Sequence, residues 1–172
     1  MLNHTKSFSI YGTPKTAGSK KGFIMPVKGK PGKNRVVITD DCKGGKAWRK
    51  IIEKSTLDVK CTPDEMKSAV GMVMVFYLRR PKSHYRSGRF SHLLRDDAPS
   101  EHIIRPDALK LARAVEDALT GITWRDDAQI VSETIEKRFG KAEGVHVTVF
   151  YRANASTDGD AEFAANAPER GQ

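Results

Sequence analysis

The sequence predicts a mixed α/β fold of the α+β kind: a mixed β-sheet, two main helices packed on it and a terminal β-hairpin. Three observations carry that expectation. Residues 70–78 (VGMVMVFYL) are almost continuously apolar, as in a central strand covered on both faces. Two segments, 45–58 and 106–120, repeat their apolar residues at the period of a helix. Two strand-like segments, 129–138 and 145–152, flank a glycine-bounded turn at 140–144 and read as an antiparallel hairpin. The chain has 172 residues and no internal repeat, so one domain over 1–152 is expected, long enough to bury a core.

In chain order, residues 7–12 (SFSIYG) read as a short strand that runs into Thr13-Pro14. A basic N-terminal loop over 12–35 follows and ends in a strand at 35–39. Within it, Gly18-Ser19-Lys20-Lys21 could cradle a phosphate with backbone amides and lysines. The segment does not fit GxxxxGK[ST], so no nucleotide cofactor is expected. A flexible basic hairpin and a DNA-contacting loop are both open for it. Asp40-Asp41 offer N-cap oxygens for the helix at 45–58, which carries Trp48, Ile51, Ile52 and Ser55 on one side and breaks at Thr62-Pro63.

After the central strand, residues 79–101 (RRPKSHYRSGRFSHLLRDDAPSE) lose all periodicity. A loop of this length inside a compact domain points to a functional or mobile segment. Its Arg79, Arg80, Lys82, Arg86, Arg89 and Arg95 interleave with Tyr85 and Phe90. That composition suits phosphate contact with base stacking, and also a solvated basic insertion. His84 and His92 have no metal-ligand spacing. The second helix, 106–120, places Ala108, Leu111, Ala112, Val115, Ala118 and Leu119 on one face. Pro106 stands near its start and Gly121 at its stop. The tail 153–172 has no apolar period and is expected to be disordered.

Charge is unevenly spread. The net charge is +9, and residues 1–50 hold twelve Lys and Arg against only Asp40 and Asp41. A basic first third points to a polyanion partner, because cations on phosphates release counterions. No apolar run is long enough to span a membrane, and residues 1–11 lack the apolar core of a signal peptide, so no membrane partner is expected. Cys42 and Cys61 are too few for a zinc knuckle or a disulfide framework and suit free thiols in a reducing cytoplasm.

The stretch from His102 to Val131 (HIIRPDALKLARAVEDALTGITWRDDAQIV) sets an aspartate at one end of a helix and a pair of aspartates in the turn after it. Each acid has an ordinary structural explanation. Asp107 favours the positive end of a helix dipole, and Asp126 and Asp127 suit a turn. Their setting in a basic chain also fits metal-dependent phosphodiester cleavage, in which carboxylates hold Mg²⁺ beside a phosphate and cations draw the polyanion in.

The block RPDALKLARAVEDALTGITWRDDAQIV resembles the RusA family of Holliday-junction resolvases, particularly the phage and prophage versions. That family follows approximately K/R-P-D-x-D-N/K-L-x-K/R-A-x-x-D-A-L, then a short loop and D-D-x-Q-V. Gly12-Thr13-Pro14 with Gly18-Ser19-Lys20 is similar to its N-terminal loop, Trp48-Arg49 to its first helix, and the Arg-Pro after the central strand also fits. The resemblance runs over roughly residues 7–152.

The resemblance implies a Mg²⁺-dependent endodeoxyribonuclease, with Mn²⁺ as a substitute, that acts as a homodimer on branched DNA in recombination and repair. It implies a cytoplasmic location, the bacterial host's if the source is a phage. Asp107 matches the family's first catalytic aspartate, Asp127 the catalytic member of the later pair, and Asp126 its neighbour in the acidic site. These three are the expected metal ligands. Arg113 takes the place of a basic catalytic residue, usually Lys, and Asp117 that of a structural aspartate. Ser19, Lys20, Lys21, Arg79, Arg80, Arg86 and Arg89 are the expected DNA contacts. The sequence departs from the pattern at Leu109, where the family has its second catalytic aspartate. Glu133 and Glu101 are candidate replacements. The alternative is a junction- or DNA-binding protein whose catalysis is weakened, and a third reading is a single-strand or RNA nuclease.

Overall fold

The computed structural model describes residues 4–152 apart from 19, 31 and 41. Ser19, Asp41, the side chains of Lys20 and Lys21, and the tail 153–172 lie outside the described residues. The elements are β1 (His4–Tyr11), β2 (Lys20–Pro26), β3 (Asn34–Asp40), α1 (Gly45–Ser55), β4 (Ala69–Leu78), α2 (Ala108–Leu119), β5 (Ile130–Phe139) and β6 (Gly144–Arg152). The main sheet runs β1-β6-β4-β5, antiparallel at β1/β6 and β6/β4 and parallel at β4/β5. It is therefore a mixed sheet carrying two helices, as expected.

Strand register fixes which side chains meet the helices. Met72, Met74 and Phe76 pair with Val149, Val147 and Val145, and Ile10 of β1 pairs with Val145. Paired residues share a face. All of these are buried, together with Trp48 and Ile52 of α1 and Leu111, Ala112, Val115, Ala118 and Leu119 of α2. The other face of β4 carries Val73, Val75 and Tyr77, which are only half-buried. On that side Ser7 bonds Thr148 and Ser9 bonds His146. The expectation of a central strand covered on both faces is thus corrected: β4 is central, but the helices cover one side.

The terminal hairpin is also corrected. β5 and β6 do not pair, because β4 lies between them. The physical reason lies in the sequences. β4 is apolar and takes the centre, whereas β5 (IVSETIEKRF) is polar enough to stand at an edge. The turn after β5 must then cross the end of β4, two strand spacings or about 10 Å. Gly140 makes that crossing. Its amide donates to the Leu78 carbonyl, and a Cβ there would lie 2.9 Å from the Tyr77 Cβ.

Helix α1 is capped by Gly44, which has φ 86°, and not by an aspartate. Asp40 instead ends β3, since pairing with β2 continues to that residue. From residue 20 onward the expected N-terminal loop is therefore the two-stranded β2–β3 ribbon. A buried polar group ties β1 to the segment after α1: Lys6 donates to Glu65 at 2.6 Å, and so does the Thr62 amide at 2.7 Å. Burial alone would push the Glu65 carboxyl up, but Lys6, the Thr62 amide and His4 hold it below its usual value. No helix among the described residues is long and apolar enough to cross a membrane.

Candidate active site and nucleic-acid interface

Asp107 occupies the N-cap position of α2, yet its side chain makes no capping hydrogen bond. Pro106 precedes it through a cis Arg105–Pro106 bond, two residues before the first helical position, where a first-turn proline would stand. The exposed Asp107 lines an open depression of about 760 Å³ with Thr16, Ile104, Lys110 and Lys137. Lys137 holds this corner in place. Its Nζ donates to the carbonyls of Ile104 and Pro106, both at 2.9 Å, and pins the approach to α2 onto β5.

The Asp126-Asp127 turn divides its two acids between different tasks. Asp126 accepts from the Ala128 amide at 2.9 Å and forms a capping box with Gln129 over the short 3-10 turn Asp127–Gln129. The Ala128 amide, and then a hydrogen bond with Asp127, hold the Asp126 carboxyl below its usual range. The Gln129 side chain accepts from the Arg125 and Asp126 amides and donates to the Met66 and Ser68 carbonyls. This one side chain fastens the turn to the start of β4. Asp127 is left exposed next to it.

The carboxylates gather along the seam between α2 and β5. Glu133 pairs with Met72 and Ile135 with Met74, so Glu133 lies on the helix-covered face of an edge strand. There it meets Glu116 of α2. Burial, the hydrogen bond with Glu133 and the charges of Glu133, Asp117 and Asp127 push the Glu116 carboxyl up to about 8. Asp107 is not among the acids that dominate at Glu116, and nine helical positions separate the two, an axial distance of about 13 Å. The structure thus groups Asp127 with Glu116, Glu133 and Asp117, and sets Asp107 at the other end of the helix. Glu101 acts on Arg138, at the far end of β5.

Leu109, Arg113 and Glu116 fall within about 60° of one another around the α2 axis. Leu109 is 70% exposed and Arg113 is exposed, so this stripe runs along the outside of the helix toward the carboxylates. An acid at position 109 would stand on this stripe and outside the core. Glu116, Gln129 and Lys137 were not singled out from the sequence. The spacing Asp126-x-x-Gln129 is a capping-box signature that could have revealed Gln129. Glu116 and Lys137 depend on how β5 registers against α2, which no local pattern encodes.

The donors on the seam are all hard carboxylate oxygens, the type that suits magnesium. Among the described residues no group of three or more Asp, Glu, His or Cys side chains is close enough to enclose an ion. Magnesium commonly takes one or two carboxylates and completes its shell with water and substrate phosphate, so the seam fits as a partial set.

The basic loop 79–101 is knit together by its own bonds. Arg80 donates to the Pro99 carbonyl at 2.7 Å and stacks 3.8 Å from the Phe139 ring centroid. Arg86 pairs with Asp96 at 2.7 Å, Arg95 pairs with Asp97 at 2.9 Å, and Arg89 stacks on Phe90. Tyr85 bridges to Leu94. Of the expected DNA contacts in this loop, Arg80 and Arg86 are engaged internally, whereas Arg79 and Arg89 are exposed and form no ion pair among the described residues.

Comparison with known proteins gives one clear result. The sequence model of the family described as Endodeoxyribonuclease RusA matches residues 25–150. No curated protein matches the chain at a significant level. The match spans well over half of the chain, from the arm strand β2 through both acidic ends of α2 to the last strand. The chain belongs to the RusA endodeoxyribonuclease family.

Proposed function

From that family membership, we propose that the chain is a magnesium-dependent endodeoxyribonuclease that nicks four-way DNA junctions in recombination and repair, as a homodimer in the cytoplasm. The observation that carries the reading is the carboxylate group on the α2–β5 seam, in a chain of net charge +9. Burial, and after it the neighbouring acids, push the Glu116 carboxyl up to about 8, and acids held this close together are expected where a cation offsets their repulsion.

In this reading Asp127 and Glu133 would hold the ion, with water and substrate phosphate completing its shell and Glu116 hydrogen-bonded to Glu133 beside them. Magnesium, or manganese in its place, supplies Lewis-acid polarisation of the phosphate and lowers the pKa of the attacking water. Asp126 and Gln129 position Asp127 by fixing its turn. Asp107 faces the same substrate from the head of α2, beside Lys110. Arg113, exposed and without an acidic partner among the described residues, is placed to offset charge building on the scissile phosphate. Two such sites in a dimer would cut two opposed strands.

Replacing Asp127 by Asn keeps its size and removes its charge. Cleavage of a synthetic junction in Mg²⁺ should fall by about two orders of magnitude or more, with junction binding retained. A variant that cuts at the parent rate would remove Asp127 from the site. A second reading rests on Leu109, which is 70% exposed at the position of the family's second acid. In that reading the protein binds junctions and cuts them slowly. A parent protein that binds tightly in Mg²⁺ yet releases no nicked product would favour it.

A further inference from the structure

The β2–β3 ribbon packs on itself and only marginally on any other element, and none of its side chains joins the core. With seven residues per strand it reaches about 23 Å. Its tip is a tight turn in which the Val27 amide donates to Lys33 O at 2.8 Å, with Gly29 and Gly32 at φ 79° and 77°. Across the ribbon Ile24 pairs with Val36, Gly22 with Ile38 and Pro26 with Asn34. These pairs share one face. From residue 22 to residue 38 that face carries no charge. Ile24 is 73% exposed, Val36 68% and Ile38 65%. A two-stranded ribbon is marginal alone, and an uncovered aliphatic face of this kind marks a contact surface.

Charge says what the face contacts. Residues 20–38 hold six lysines and arginines and no acid, and Lys28, Lys30, Lys33 and Arg35 are all exposed at or near the tip. A second copy of the ribbon laid on this face would bring its own lysines against these like charges, whereas a polyanion is complementary. The root of the ribbon also lies beside the head of α2, where Asp107 stands, because the Ala17 amide donates to Lys110 O at 2.7 Å in the first turn of that helix.

We propose that the β2–β3 arm is a wedge for branched DNA: its tip lysines grip phosphates, and the face of Ile24, Pro26, Val36 and Ile38 covers a base pair left unstacked at the branch point. The proposal rests on the junction reading above and adds a way of recognising the branch itself. In continuous duplex the base faces are stacked on one another and offer this aliphatic face nothing. A branch point exposes them, and apolar side chains inserted at opened steps are a known way of holding distorted DNA.

The test uses the full-length protein in metal-free buffer, with 2-aminopurine placed beside the branch, in mid-arm, or in a matched duplex. The parent should raise fluorescence at the branch alone. Ile24→Thr with Ile38→Thr keeps β-branched residues in the strands and makes the face polar. This variant should lose the branch signal and about tenfold in junction affinity, with duplex affinity unchanged. Parent-like fluorescence and parent-like junction affinity in the variant overturn the wedge. So does loss of a dimer in sedimentation with the branch signal per bound complex intact, since the face then covers a second copy. If the variant does not fold, the parent decides: no rise at the branch overturns the proposal. Parent cleavage of the same junction in Mg²⁺ is measured alongside. Normal cleavage with a failed wedge leaves the nuclease reading standing, whereas a parent that neither prefers nor cuts junctions removes both.

Discussion

The arm over residues 20–38 and the loop over residues 79–101 each carry six lysines and arginines, and in the sequence both resemble solvated basic connections. Folded, they differ in kind. The loop also holds Asp96, Asp97 and Glu101, and three of its five arginines find partners within reach: Asp96 for Arg86, Asp97 for Arg95, the Pro99 carbonyl and the Phe139 ring for Arg80. The arm holds no acid between residues 20 and 38, and its tip cations Lys28, Lys30, Lys33 and Arg35 form no ion pair among the described residues. A count of positive charges therefore overstates what the loop can offer to phosphate and describes the arm well. Guanidinium groups already bonded to carboxylates must break those bonds before meeting DNA, whereas the arm lysines need only release counterions.

Three substitutions would break or sharpen that contrast. The largest effect is expected in the arm. Replacing Lys28, Lys30 and Lys33 together by Ala should reduce the slope of log affinity against log salt by up to about 2.7 on duplex-like arms. An unchanged slope would take the arm off the DNA and erase the contrast. Arg80→Ala should act on the fold instead. Losing the stack on Phe139 and the bond to Pro99 should lower stability by about 1–2 kcal/mol in denaturant melts, with the salt slope unaltered. A clear drop in slope would show that Arg80 leaves Phe139 to meet a phosphate. The smallest effect is expected for Arg86→Ala, whose partner Asp96 is 94% exposed. Neither melting temperature nor salt slope should move measurably, because exposed ion pairs contribute little. A slope lowered by about 0.9 would reassign Arg86 to the DNA surface.

Much of this arrangement was legible in the sequence. The apolar run of β4 and the period of α2 are local signals, and both elements stand where those signals put them. The acidic turn was equally visible, but the division of labour within it was not. The sequence offered Asp40-Asp41 as N-cap oxygens and set Asp107 at the positive end of a helix dipole, yet the aspartate that caps is Asp126, over the turn Asp127–Gln129, and the Asp107 carboxylate makes no capping bond. Pairing was the main loss. The segments of β5 and β6 are adjacent in sequence and look like a hairpin, but β4 separates them, an outcome set by competition for the centre of the sheet. The same long-range event brings Glu133 to Glu116, so the carboxylate group on the seam could not be read before the sheet order was known.

The register of β5 has one more consequence. Glu133 and Lys137 lie on the same side of that strand four residues apart, about 13 Å. One reaches the carboxylates near the foot of α2 and the other anchors the segment at its head. The strand is an inextensible ruler laid along the helix, with both marks on one edge. Inserting a single residue between the marks would turn one of them to the opposite side of the sheet, because side chains alternate. Surface loops in general tolerate insertions. Between Glu133 and Lys137 the chain can change its letters, but it cannot change its count.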